Sequence, residues 1–231
     1  MAERFDLQSF SIEKYDQVIS RGLSSGLGDE GEQVCIEAAI CETLGLPHSD
    51  DPGCVDGAVR AYKITLNDSA RWDSPQSRAA GLRDLGIAQL GSKGIVDSAE
   101  FSTILAIKTV RVLLPKLFSS IFDNASTYEG VITQCREVQT IDDAVAAAHA
   151  ARDAADAAGV AASAADAAAD AADAADAADN AADAADNAAD AAARSTGVAA
   201  HNPETFLLLS ATLALETLRE LGSPGVALLD N

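Results

Sequence analysis

The chain has 231 residues, 48% of them hydrophobic but only 4% aromatic, and 36 acidic against 16 basic side chains give a formal net charge of −20. That balance excludes a general nucleic-acid binder, which needs a basic footprint. It leaves enough Leu, Ile, Val and Ala for one core, as a single large domain or a domain with a helical arm. No run approaches the roughly 18 apolar residues of a spanning helix and MAERFDLQ has no apolar signal region, so a cytoplasmic, non-membrane protein is expected.

Ser11 is placed to cap a helix from Ile12 to about Arg21, ended by Gly22. The following LSSGLGDEG, residues 23–31, reads as a loop whose glycine spacing matches no phosphate-binding fingerprint. A second helix is expected from about Glu32 to Leu44, burying Val34, Ile36, Ala39 and Ile40 and stopped by Gly45. Asp51 before Pro52 has the form of a cap and first turn, and predicts a helix through Val55, Val59, Tyr62 and Leu66.

Ser74 and Pro75 repeat that signal for a helix through Leu82 and Leu85, which Gly81 and Gly86 either break or open to close packing. Asp97 with Glu100 resembles a capping box at the head of the most apolar helix, Phe101 to Leu114, which Pro115 kinks or ends. Leu117, Phe118, Ile121 and Phe122 continue the apolar run. A shorter helix from Tyr128 to Val138 follows, and Thr140 with Asp143 caps an alanine-rich region.

From Ala144 to Arg194, AAD triplets run almost without interruption. Ala is the strongest helix former, so a helix is predicted. A strict three-residue period would smear the carboxylates around every face. Four-residue steps correct the drift, so that Asp166, Asp170, Asp173, Asp176, Asp179, Asp183, Asp186 and Asp190 fall on one side and only methyl groups on the other. A methyl-only face lets a partner helix approach at the short end of the roughly 8–10 Å interaxial range. One helix over residues 141–194 would reach about 80 Å at about 1.5 Å per residue. Gly159 is the natural break, and a helical hairpin is the preferred form. Asn202 and Pro203 then start a helix through Phe206, Leu213 and Leu218, stopped by Gly222.

The expected fold class is therefore all-α, a multi-helix bundle with a long Ala/Asp-rich helix or helical hairpin. The expected organisation is a helical core over 1–140, an Ala/Asp-rich segment over 141–200 and a carboxy-terminal helix over 201–231 that packs back on the core.

Charge is uneven along the chain. Residues 1–59 carry 12 acids and 3 bases and residues 141–194 carry 12 and 2, whereas residues 60–116 carry 9 bases and 5 acids. Within that basic segment Arg60, Lys63, Arg71, Arg78 and Arg83 are the candidate anion-binding residues, with free amides at the Ser74–Pro75 helix start. Cys35, Cys41, Cys54 and Cys135 lie in apolar contexts, which suits reduced thiols. Cys35 and Cys41, six apart on one helix, point about 240° away from each other, so no metal site is expected. His48, His149 and His201 are isolated, and no nucleophile elbow or phosphate loop accompanies them.

The block CIEAAICETLGLPHSDDPGCVDGAVRAYKITLND, with SRAAGLRDLGIAQLGS and the Ala triplets, resembles a group of uncharacterised Ala-rich bacterial and phage proteins. The triplet helices are also loosely similar to those of all-helical candidate immunity proteins of polymorphic toxin systems. The resemblance implies a helical fold and transfers no catalytic residue. The expected function is a non-enzymatic acidic interaction protein, inhibitor or immunity-like, that presents the eight aspartates to a basic protein surface without contacting nucleic acid directly. The alternative is a small-ligand binder or sequestering protein whose basic segment holds an anionic, phosphate-bearing nucleotide. No cofactor is expected, and homo-oligomerisation is compatible with either.

Overall fold

The computed structural model describes residues 5–121, 128–157 and 204–230, and over these the protein is all-α. The described residues form no strand, only two isolated bridges from Val34 to Leu23 and Gly28. Ser11 Oγ accepts the Lys14 amide at 3.2 Å and opens α1 (Ile12–Ile19). Helix α2 (Ile36–Leu44) starts later than the sequence suggests. Residues 32–34 are taken up by the preceding loop, where Ser24 N donates to Val34 O and Cys35 N to Leu27 O, both at 3.0 Å. Cys35 becomes the cap, its Sγ accepting the Ala38 amide at 3.4 Å. Gly45 ends the helix at φ +71°, a left-handed stop that glycine adopts freely.

The Asp51–Pro52 start is also corrected. Asp51 closes a local turn by accepting the Gly53 amide at 2.9 Å. Asp56 is the cap of α3 (Gly57–Asp68), its Oδ1 accepting from Ala58 N at 3.0 Å and its Oδ2 from Ser98 Oγ at 2.6 Å. Two carboxylate oxygens thus fix a helix start and tie it to the head of a later helix at Ser98. Helix α4 (Pro75–Ala88) opens on a reciprocal Ser74–Ser77 capping box and runs unbroken through Gly81 and Gly86. Those glycines serve close packing. A Cβ at Gly81 would stand 2.6 Å from Trp72 Cζ3, and one at Gly86 would strike the Tyr15 hydroxyl.

Asp97 accepts the Glu100 amide at 2.9 Å and heads α5 (Ser98–Lys108). A π segment, Thr109–Leu113, follows directly and leads into α6 (Leu114–Ile121), so Pro115 does not end the rod. Proline lacks an amide and crowds the carbonyl four residues back; a wider turn just ahead of it, in which Leu114 N bonds Thr109 O, accommodates both. Phe101, Leu105, Val110, Leu113, Leu117 and Phe118 on this rod are buried.

Helix α7 (Glu129–Arg136) packs on α6 and on α8 (Ile141–Ala157), and α9 (Glu204–Glu220) lies across α4 and α5. Thr140 and Asp143 form the expected reciprocal cap, with Thr140 N to Asp143 Oδ2 at 3.0 Å and Asp143 N to Thr140 Oγ1 at 3.2 Å. On α8, Ala144, Ala147, Ala148, Ala151 and Ala155 are buried in the common core, while Asp142, Asp143 and Asp153 are exposed. The opening turns of the alanine-rich run therefore use their methyl face for close helix packing. Gly159 and the bend expected there lie outside the described residues, as do the eight aspartates from Asp166 to Asp190. No helix among the described residues is long and apolar enough to cross a membrane.

Candidate functional site

Four of the five candidate cations, Arg60, Lys63, Arg78 and Arg83, are held one by one by internal partners. Arg60, near the start of α3, reaches Asp51 Oδ2 at 3.4 Å and Asp50 Oδ1 at 4.0 Å. Arg83 on α4 grips Asp16 of α1 in a two-pronged pair, Nε–Oδ1 at 2.6 Å and Nη2–Oδ2 at 2.9 Å, and meets Asp84 at 2.7 Å. These bonds, those to Asp16 first, hold its guanidinium charged more firmly than usual. Arg78 is buried and bonds main-chain oxygens, Leu23 O at 2.7 Å and Ser69 O at 3.3 Å. It ties the loop after α1 to the turn before α4. Arg71 stands exposed on that turn.

Lys63 departs furthest from the expectation of an anion site, because its side chain has no exposure. Its Nζ stands 2.6 Å from Glu37 Oε1, whose side chain is equally buried. Gln89 donates to the other oxygen, Nε2 to Oε2 at 3.1 Å. The Lys63–Glu37 pair is close in distance yet poorly aligned for a hydrogen bond. Tyr15 Oη and Gln89 Oε1 are likewise buried without a hydrogen-bond partner. Burial pushes the Glu37 carboxyl up and the Lys63 ammonium down, and each partner's charge opposes the shift of the other. A charged centre thus sits where α2, α3 and α4 meet. Its cationic member is unavailable to an external anion.

Glu37, Gln89 and Tyr15 were not among the sequence-derived site residues, though a signal exists. Glu37 shares its helical face with Ile40, Cys41 and Leu44, and Lys63 sits between Val59 and Leu66 at spacings of four and three. A charged residue inside each of two apolar stripes points to a buried pair.

A small cavity of about 50 Å³ lies beside this centre, walled by Gly26, Leu27, Cys35, Ile36, Glu37, Asp50, Ile64, Asn67 and Asp68. A larger open groove of about 550 Å³ runs past Phe5, Leu44, Leu46, Pro52, Cys54 and Lys93. All four cysteines are free and buried, and burial is the first cause raising each thiol above its ordinary range. No group of three His, Cys, Asp or Glu residues among the described residues is arranged to hold a metal ion. Compared with models of known protein families, with curated proteins and with solved structures, the chain matches none.

Proposed function

We propose that the protein is a non-enzymatic, acidic interaction protein, inhibitor or immunity-like in kind, that offers a row of carboxylates to a basic protein surface. The observation that carries this reading is the internal pairing of the basic segment. Arg60, Lys63, Arg78 and Arg83 are each bound to this chain's own carboxylates or carbonyls, so they build no basic patch against the surplus of 36 acids over 16 bases. The outer face of α8 already shows the pattern, with Asp142, Asp143 and Asp153 exposed above a buried row of alanines. Asp166, Asp170, Asp173, Asp176, Asp179, Asp183, Asp186 and Asp190 carry it further along the sequence. Long-range attraction by such a surface accelerates encounter with a cationic partner and weakens steeply with salt. Four buried free thiols suit a reducing, cytoplasmic setting.

The test is capture from a lysate at low salt by the wild type and by a variant with those eight aspartates changed to asparagine. A protein held by the wild type alone, and released as salt rises, is the expected outcome; equal capture by both would remove the acidic row from recognition. A nucleotide panel scored by melting temperature separates the alternative, for which the paired cations leave little support. No nucleotide is expected to shift the midpoint.

A further inference from the structure

We propose that the groove of about 550 Å³ past Phe5, Leu44, Leu46 and Lys93 binds an amphipathic monocarboxylate, its hydrocarbon body on the apolar wall and its head on the Lys93 ammonium. This surface is separate from the acidic face of α8 and does not depend on what that face binds. Its volume falls in the range of about 300–1,000 Å³ usual for small-molecule sites, which are mostly apolar with a few polar groups that fix orientation.

The apolar wall follows from local chemistry. Gly45, at φ +71°, turns the chain out of α2, and Leu46 N closes that turn on Cys41 O at 2.9 Å. Leu46 is thereby left 42% exposed on the groove, and Phe5, Leu44, Pro52 and Cys54 continue the wall. Four large hydrophobic side chains are exposed among the described residues. Of these, Leu46 lines the groove and Ile95 directly follows the wall residue Gly94. Exposed apolar side chains gathered on one concave surface mark a binding place, whereas ones scattered singly carry no such meaning.

Charge decides the class of ligand. Lys93 N donates to Cys54 O at 3.1 Å, which fixes the Lys93 backbone to the wall while its side chain stays exposed on a flexible four-carbon stem. Arg60, Lys63 and Arg83 are engaged in ion pairs within the chain; Lys93 enters none among the described residues. Asp6, the other charge on the wall, turns Oδ1 to the Gln8 amide at 3.0 Å as the cap of the turn Leu7–Ser9. The negative end of α2 beside Leu44 is covered by Lys14, whose Nζ donates to Glu42 O at 2.9 Å and Thr43 O at 2.7 Å. A carboxylate head thus meets an ammonium and is not opposed by bare helix carbonyls. One negative charge also suits a chain of formal charge −20, which repels polyanions.

The experiment is a titration of the full chain with octanoate and, separately, with octylammonium, read by NMR at the amides of Leu46, Gly53, Lys93 and Gly94. Octanoate is expected to shift these amides saturably and octylammonium to bind there at least about tenfold more weakly, a carboxylate being attracted and an ammonium repelled by Lys93. Lys93→Gln should weaken octanoate about two- to fivefold, the worth of one exposed ion pair. Leu46→Gln should weaken it about tenfold through lost apolar contact, and Leu208→Gln, at another exposed leucine, should leave it unchanged. All three side chains are exposed, so the melting temperature should stay near that of the wild type. No saturable shift with octanoate in the folded wild type, equal affinity for octylammonium at these amides, or unchanged octanoate affinity in Lys93→Gln overturns the proposal. An equal loss in Leu208→Gln would show diffuse adsorption to apolar surface, and groove signals that follow protein concentration alone would assign the groove to a second copy; either result overturns it as well.

Discussion

Lys63 Nζ and Glu37 Oε1 face each other at 2.6 Å with neither side chain exposed, joining α3 to α2 through opposite charges inside the core. Breaking such a pair leaves one uncompensated buried charge, which costs about 3–5 kcal/mol. Lys63→Met and Glu37→Leu are each expected to lower stability in urea by that order. The double variant should recover a substantial part, because desolvation of both charges disappears together. Additive losses would show that the two charges are not energetically coupled.

Glycine in a helix interior is ordinarily a weakness, and replacement by alanine gains up to about 1 kcal/mol. At Gly86 the reverse is expected. An added Cβ would meet the Tyr15 hydroxyl and stand 3.0 Å from Ile36 Cδ1. Gly86→Ala should therefore destabilise by about 1–3 kcal/mol, the range of core overpacking, with Gly81→Ala behaving similarly against Trp72 and Leu208. Urea midpoints that rise in either variant would show that the core yields around the new methyl.

The methyl face of α8 makes an asymmetric prediction. Ala151 is fully buried and Ala146, on the opposite side of the helix, is exposed. Ala151→Leu should cost about 1–3 kcal/mol through overpacking, whereas Ala146→Leu should change the thermal midpoint little. Equal tolerance at both positions would mean that α8 does not pack through its alanines.

Alkaline pH should loosen the fold. Burial pushes the Cys135 thiol up from 9.0 to about 11, and burial followed by the nearby Glu37 charge does the same for Cys41. Tyr15 and Tyr62 are raised in the same direction, again by burial first. An acid held protonated by folding contributes stability that is complete below its unfolded value and is lost as pH rises through its folded value. Urea midpoints are expected to hold below about pH 9 and to fall towards pH 11. Cys135→Ala should lower the curve through lost packing but reduce its alkaline slope; an unchanged slope would remove that thiol from the effect.

What the sequence made legible was local chemistry. Ser11, Ser74 with Pro75, Asp97, and Thr140 with Asp143 cap the helices they were expected to cap, because a cap needs only a side-chain oxygen within three residues of an amide. Asp51 misled for a related reason: a short acidic side chain closes a turn as readily as it opens a helix, and the turn took it. Glu32 to Val34 were lost to the helix because Val34 bridges back to Leu23, eleven residues away, which no helical periodicity reports. The partners of Arg83 and Lys63, at sequence separations of 67 and 26 residues, were hidden in the same way, so a run of positive charge looked like a site although four of its five candidates, all but Arg71, are engaged within the chain.

The widened turn at Thr109–Leu113 has a further consequence for how the protein is put together. A π turn carries extra backbone, so every side chain beyond it is rotated relative to those before it. The rod formed by α5 and α6 therefore packs its first half on α3, α9 and α8 and aims its second half at α7. One continuous helix thereby addresses two sets of neighbours with two orientations. Winding Thr109 to Leu113 as an ordinary helix, with no residue removed, would swing the Leu117 and Phe118 side of α6 by about 100° away from α7. The amino-terminal half of the rod would keep α3 and α9, and α7, which packs against α8, would lose its seat on α6.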